Sequence, residues 1–367
     1  MEKRQHRYAW PGRVLRPIIG VPTYGQIHRR ISAGERRRLP KVKLTHYLPF
    51  GRVPAVRLPW AWRYPMLRAM TKGTAVDLLH DAKARLGESP VWDAGAGCVR
   101  WIDCIGKRLH RYDLAAGAAA SVDAGEAIHS IGVCNDDGLV AAVASGFGRL
   151  DPQSGAFSPL SRPEEARPDY HFNDGKCGPD GRFWAGSMPR NYTGAGGRLY
   201  RLGPGGAVAS MADGFTVPNG PGWSPDGTVF YIADSPAGAI FRYGFDPAGG
   251  APDGGVLGPR QVAVEPGAAP GWPDGMAVDA EGCLWSARWD GGCVVRFAPG
   301  GTVDRIVDMP VSRPTSCAFA GPDLDILVVT SGTAGMDEAA RAAEPLAGGL
   351  FAFSPGVSGA PVGTFSG

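Results

Sequence analysis

One hydrophobic frame returns six times along the chain, and this periodicity most constrains what it can fold into. The anchors of the frame are Trp92, Val133, Cys177, Trp223, Val278 and Phe319, spaced 41 to 55 residues apart. Around each lie short apolar strands divided by tight turns, as in Asn173-Asp-Gly-Lys-Cys-Gly-Pro-Asp-Gly-Arg-Phe-Trp184. Every copy holds three clear strands and room for a fourth. Four-stranded units at this period are propeller blades; one blade cannot bury both of its faces, but a closed ring of blades can. The expected fold is therefore all-β, a six-bladed β-propeller over residues 73–367 that forms one domain. The segment Thr74–Leu79 is expected to supply an outer strand that closes the ring onto the last blade.

A second pattern rides on the first. Glu88, Asn173, Asn219 and Asp274 each stand four residues ahead of an anchor. Asn-Gly and Asp-Gly are ordinary turn dipeptides when met singly. Four oxygen-bearing side chains at one register of four copies instead converge at one mouth of the channel. The corresponding points of the second and sixth copies fall near His129, Ser130 and Thr315. Carboxylate and amide oxygens select hard cations, so a metal site is expected at one end of the central channel. Ca²⁺ is the first candidate, with Mg²⁺ and Mn²⁺ of the same class; Zn²⁺ stays possible without a His/Cys set to demand it.

The net charge of +3 conceals a division. Residues 1–72 carry 17 Lys and Arg against 2 Asp and Glu, leaving 21 against 33 for the remainder. The acidic body suits a cation site. The basic segment shows no sustained period and is expected to be a disordered extension or the product of a start placed too early, Met66 and Met70 being later candidates. Contact of this arm with nucleic acid or lipid headgroups is the other reading. Seven cysteines form no Cys-x-x-Cys pair and several fall inside apolar strands, which favours buried free thiols over a disulfide framework. No apolar run reaches the ~18 residues of a membrane span and no signal peptide is visible, so a cytoplasmic location is expected. A Gly-x-Ser-x-Gly elbow is missing, which argues against a serine-hydrolase route.

The segments Leu86-Gly-Glu-Ser-Pro-Val-Trp-Asp93, Phe172-Asn-Asp-Gly-Lys176, Pro218-Asn-Gly220, Pro273-Asp-Gly-Met276 and Arg313-Pro-Thr-Ser-Cys-Ala-Phe319 resemble, in blade order, the SMP-30/gluconolactonase/LRE (regucalcin-like) family. The resemblance covers residues ~76–355 and implies a divalent metal held by Glu88, Asn219 and Asp274. It implies that Asn173 contacts substrate or a water at the metal, and that Asp274 also serves as catalytic base. The implied activity is hydrolysis of a sugar-derived lactone, with the cation polarising the carbonyl and water attacking. Two departures stand out. His171 occupies a position where many members carry a substrate-binding Arg, and Asn191 lies where some carry an acidic contact. His171 is read as a substrate-binding candidate. The alternatives are a calcium-binding regulatory protein without relevant catalysis and a metal-dependent aryl or phosphate esterase. Lys176, Asp234-Ser235 and Asp290 are read as packing or turn residues, and Glu164-Glu165 as part of a polar insert that shapes the mouth or is plain surface.

Overall fold

The computed structural model describes residues 75–248 and 255–367. The expectations for residues 1–72, including the anionic-partner reading, lie outside the described residues. The body is an all-β ring of six antiparallel sheets. The innermost strands are Gly87–Asp93, Ile128–Val133, Tyr170–Cys177, Pro218–Trp223, Trp272–Val278 and Pro314–Ala320. They neighbour one another in chain order, and the sixth returns to the first. The fourth strand that the pattern left open is present in every blade. Blade six obtains its own from the start of the body, where Asp77–His80 pairs antiparallel with Leu350–Phe353. The expected ring closure is therefore made, by a shorter segment than Thr74–Leu79. Among the described residues, no helix is long and apolar enough to cross a membrane.

Stability resides between blades rather than within them. Each of the six interfaces holds its own hydrophobic cluster. The second strands show how one segment serves two interfaces. Leu139–Val143 is buried along its whole length. Leu139, Ala141 and Val143 enter the cluster shared with blade one, whereas Val140 and Ala142 enter the one shared with blade three. The strand period of two sends alternate side chains to opposite faces, so a strand covered on both sides reads as an unbroken apolar run. The interface of blades three and four is aromatic, with Trp184 among Trp223, Phe230 and Phe245 at centroid separations of 5.4 to 5.9 Å.

The aspartates at the far ends of two inner strands, Asp93 and Asp279, are structural. Asp279 accepts bonds from the Trp285 indole (2.9 Å) and from Arg296 (2.8 Å), and Asp93 holds buried Arg100 at 2.7 Å. Asp290 pairs with Arg313 at 2.6 Å in an exposed loop, as a turn residue should. All seven cysteines are buried and free.

His110 is an exception to this economy. It is buried and stacked on Trp101 at 4.9 Å, and neither ring nitrogen finds a hydrogen-bond partner among the described residues. Burial drives its pKa down to about 4. Between pH 6.5 and 4 the unfolded chain takes up a proton that the folded chain refuses, so stability is lost as the pH falls through that window. We expect His110→Phe to remove this share. Urea unfolding at pH 7.5 and 4.5 should show the variant gaining about 2–3 kcal/mol on the parent at the lower pH. An equal pH dependence in the two proteins would refute the assignment.

Candidate metal and substrate site

Every innermost strand breaks register with its neighbour at the same place. The irregularities fall between Glu88 and Val91, Ile128 and Ser130, Phe172 and Gly175, Asn219 and Gly222, Pro273 and Met276, and Pro314 and Ser316. A β-bulge leaves a residue out of the ladder and re-aims its side chain. The four oxygen-bearing residues of the repeat all stand at or beside these bulges. Gly220 and Gly275 show why small residues follow them. Gly220 has a φ of 54°, and a Cβ on Gly275 would lie 2.0 Å from the Ser316 hydroxyl.

Asn219 is oriented by a relay from the next blade. The Ser235 hydroxyl donates to the Pro273 carbonyl (2.6 Å) and therefore accepts from Asn219 Nδ2 (2.8 Å). This leaves Asn219 Oδ1 as the group on offer. Asn173 spends its amide hydrogens on the Pro218 carbonyl (2.9 Å) and on Asn219 Oδ1 (2.8 Å), so it too presents an oxygen. Ser235, read from sequence as a turn residue, is thus a positioning partner of the site. No local motif marks that role, because it depends on contact between blades.

Asp174 is the other omission. It is buried, accepts from Gly175 N (2.7 Å) and from Gly220 N of the next blade (2.8 Å), and lies close enough to Glu88 and Asp274 to repel both. Burial, then Asp274 and then Asp174 push the Glu88 carboxyl well above its usual range. Burial and then Asp174 do the same to Asp274, against partial relief from the Gly275 N–H and Arg288. Asp174 is raised by burial as well, partly offset by Lys176. That lysine is buried and donates to the Met276 carbonyl at 2.6 Å, in keeping with its reading as a packed and paired side chain.

Clustered carboxylates short of positive charge fit a cation. Among the described residues, no three His, Cys, Asp or Glu side chains form a metal-holding group by themselves. A cation site at this end would draw on amide oxygens as well as carboxylates, and an all-oxygen set of that kind fits a hard divalent ion. In blade six the Thr315 hydroxyl is committed: it donates to the Gly87 carbonyl and meets Thr330 Oγ1 at 2.9 Å.

Blades two and three contribute imidazoles. His129 and His171 are 4.9 Å apart, the Cys104 thiol lies 3.5 Å from His129 Nδ1, and His171 Nδ1 donates to the Phe172 carbonyl at 2.8 Å. Burial, reinforced by Arg190, lowers the His171 pKa to about 4; burial and then His171 lower that of His129. Both rings are therefore neutral at physiological pH. Asn191 is exposed and accepts from Thr193 N in a turn, while Glu164 of the insert is buried against Ser187 (2.6 Å) and Arg167 (3.0 Å).

The fold and this site define a class: six-bladed propellers with an acid- and amide-lined centre at one end of the channel. Residues 86–333 match the SMP-30/Gluconolactonase/LRE-like region, and the chain belongs to that family. It is 38% identical over 290 residues to pentonolactonase XacC of Haloferax volcanii, covering 77% of this chain and 94% of that protein. It is 34% identical to a 6-deoxy-6-sulfogluconolactonase of Pseudomonas putida, covering 77% and 95%. Among solved structures, the calcium-binding protein regucalcin of Agrobacterium tumefaciens superimposes with a TM-score of 0.72 at 28% identity, covering 80% of this chain and 96% of that one.

Two outcomes are expected of this electrostatic arrangement. An acid whose folded pKa is raised costs stability while ionised, and that stability returns as the pH falls through the folded value. At pH 7.5 with chelator, Asp274→Asn should therefore stabilise the protein by about 1 kcal/mol or more, and it should lack the stabilisation by Ca²⁺ expected of the parent in calorimetry. Ser235→Ala should weaken Ca²⁺ binding about 10- to 100-fold in isothermal titration by releasing the Asn219 amide. Unchanged affinity would remove Ser235 from the site.

Proposed function

We propose that this protein is a metal-dependent lactonase that hydrolyses a sugar-derived lactone. The observation that carries the reading is the crowding of Glu88, Asp174 and Asp274 beside the Asn173 and Asn219 amides, which hydrogen bonds fix in place. The relatives named as sugar lactonases support the same substrate class. Glu88, Asn219 and Asp274 would hold the ion. A divalent cation bound there, Ca²⁺ first and Mn²⁺, Zn²⁺ or Mg²⁺ as alternatives, supplies Lewis-acid polarisation of the lactone carbonyl.

The chain's own residues account for the rest. Asp274 would accept the proton of the attacking water, since a carboxylate within hydrogen-bond reach is a competent base. Asn173 presents its oxygen to a substrate hydroxyl, because both of its hydrogens are already committed. His171 donates from Nδ1 to the Phe172 carbonyl, so its Nε2 is an acceptor for another hydroxyl. Imidazole and amide groups suit a polyhydroxylated ring better than an aryl or phosphate ester. The regulatory reading draws on the calcium-binding regucalcin structure, and turnover separates it from catalysis.

Hydrolysis of pentono- and hexonolactones should be followed by proton release across a series of divalent ions. Activity should vanish with chelator, and Asp274→Ala should lower kcat/KM by about 10³-fold. Full activity in that variant would sink the mechanism, and ion binding without turnover of any lactone would favour the regulatory reading.

A further inference from the structure

The opposite end of the channel holds a cavity of about 470 Å³. Its wall takes one anchor of the repeat from each blade: Trp92, Val133, Cys177, Trp223, Val278 and Phe319. None of the residues assigned above to metal or substrate lines it. Blades one and four are opposite in the ring, so Trp92 and Trp223 stand on opposite walls, Trp223 also packing against Phe230 at 5.0 Å. Charge is largely accounted for. Asp93 is paired with Arg100 at 2.7 Å, the Lys176 ammonium is spent on the Met276 carbonyl, and Asp137 sits exposed at the rim. Burial keeps the Cys177 thiol protonated.

The end of the chain crosses this mouth. Ala360 N donates to the Val278 carbonyl of blade five (3.0 Å), and Phe365 N donates to the Val133 carbonyl of blade two (2.8 Å). Those blades are also opposite, so the span between the two bonds, at most ~18 Å of extended chain, passes over the axis. Beyond it, Asn135 N donates to the Phe365 carbonyl (3.1 Å) and Ser366 N to the Gly181 carbonyl (2.9 Å). The composition of this strap matters. Its one aromatic residue, Phe365, is buried in the cluster between blades two and three. Over the cavity run Ala360, Pro361, Val362, Gly363 and Thr364, with Val362 turned largely to solvent at 53% exposure. The strap roofs the cavity and does not fill it. A volume of this size, walled by apolar and aromatic side chains, is that of a small-molecule site.

We propose that this cavity is a second binding site, for an uncharged ligand carrying a flat apolar ring held by Trp92 and Trp223 and retained by the strap. The test uses the full chain and N-phenyl-1-naphthylamine, an uncharged fluorophore that brightens in apolar surroundings. One saturable site is expected, with affinity indifferent to added Ca²⁺. Trp92→Ala, at a half-buried position, should weaken it at least tenfold. Ala360→Trp should abolish it by occupying the cavity, and Phe365→Ala should speed release by loosening the strap. Thermal unfolding reports whether each variant is folded. Absence of saturable brightening in the parent, or binding unchanged by both Trp92→Ala and Ala360→Trp, would overturn the proposal.

Discussion

Like charges brought together at the end of a closed channel are the constraint on which the site depends. Glu88, Asp174 and Asp274 come from three different blades, and the ring places them close enough that each of the two outer carboxyls feels the third. Water cannot screen them as it does at a surface, and the one lysine nearby already serves a backbone carbonyl. Such an arrangement is unfavourable on its own. It persists because the six inter-blade clusters stabilise the ring independently of what lines its axis. The inner strands are therefore held in place by apolar packing behind them, and their ends are free to carry groups that no compact core would accept.

The bulges turn this tolerance into geometry. In a regular strand, successive side chains point to opposite faces, so Asn173 and Asp174 could not both serve the channel end. The break between Phe172 and Gly175 removes that restriction. Asn173 then reaches Asn219, while Asp174 takes the Gly220 amide of the following blade. The same break recurs in the other five inner strands, which makes it a property of the repeat. The contact it allows runs from one blade to the next, from Asn173 to blade four, and Ser235, just after the second strand of blade four, adds another to blade five. Assembly of the ring and orientation of the donors are thus a single event.

This explains which features could be read from the sequence. The repeat of Trp92, Val133, Cys177, Trp223, Val278 and Phe319 was readable because apolar periodicity reports burial, and burial is what each blade needs from its neighbours. The register of Glu88, Asn173, Asn219 and Asp274 was readable because it rides on that frame. Asp174 was not, since the alternation that identifies strands assigns it to the wrong face. Ser235 was not, since its neighbour in space is Asn219 and its neighbours in sequence form a turn. His129 could be placed at the mouth by register alone, but its pairing with His171 and Cys104 depends on how closely blades one, two and three approach.

The two ends of the channel illustrate how one repeat yields different environments. At one end the bulges expose amides and carboxylates. At the other, four residues further along the same strands, the ladder is regular and each blade contributes an apolar anchor. Two Asp residues of that end are paired: Asp93 with Arg100, and Asp279 with Arg296 and the Trp285 indole. Polar and apolar halves of one channel therefore need no separate design in each blade. They follow from placing the bulge before the anchor, so that the strand leaves its irregular stretch just where it must begin to pack. The small residues of the strap obey the same logic, because a bulky side chain over the axis would enter the space that the six anchors enclose.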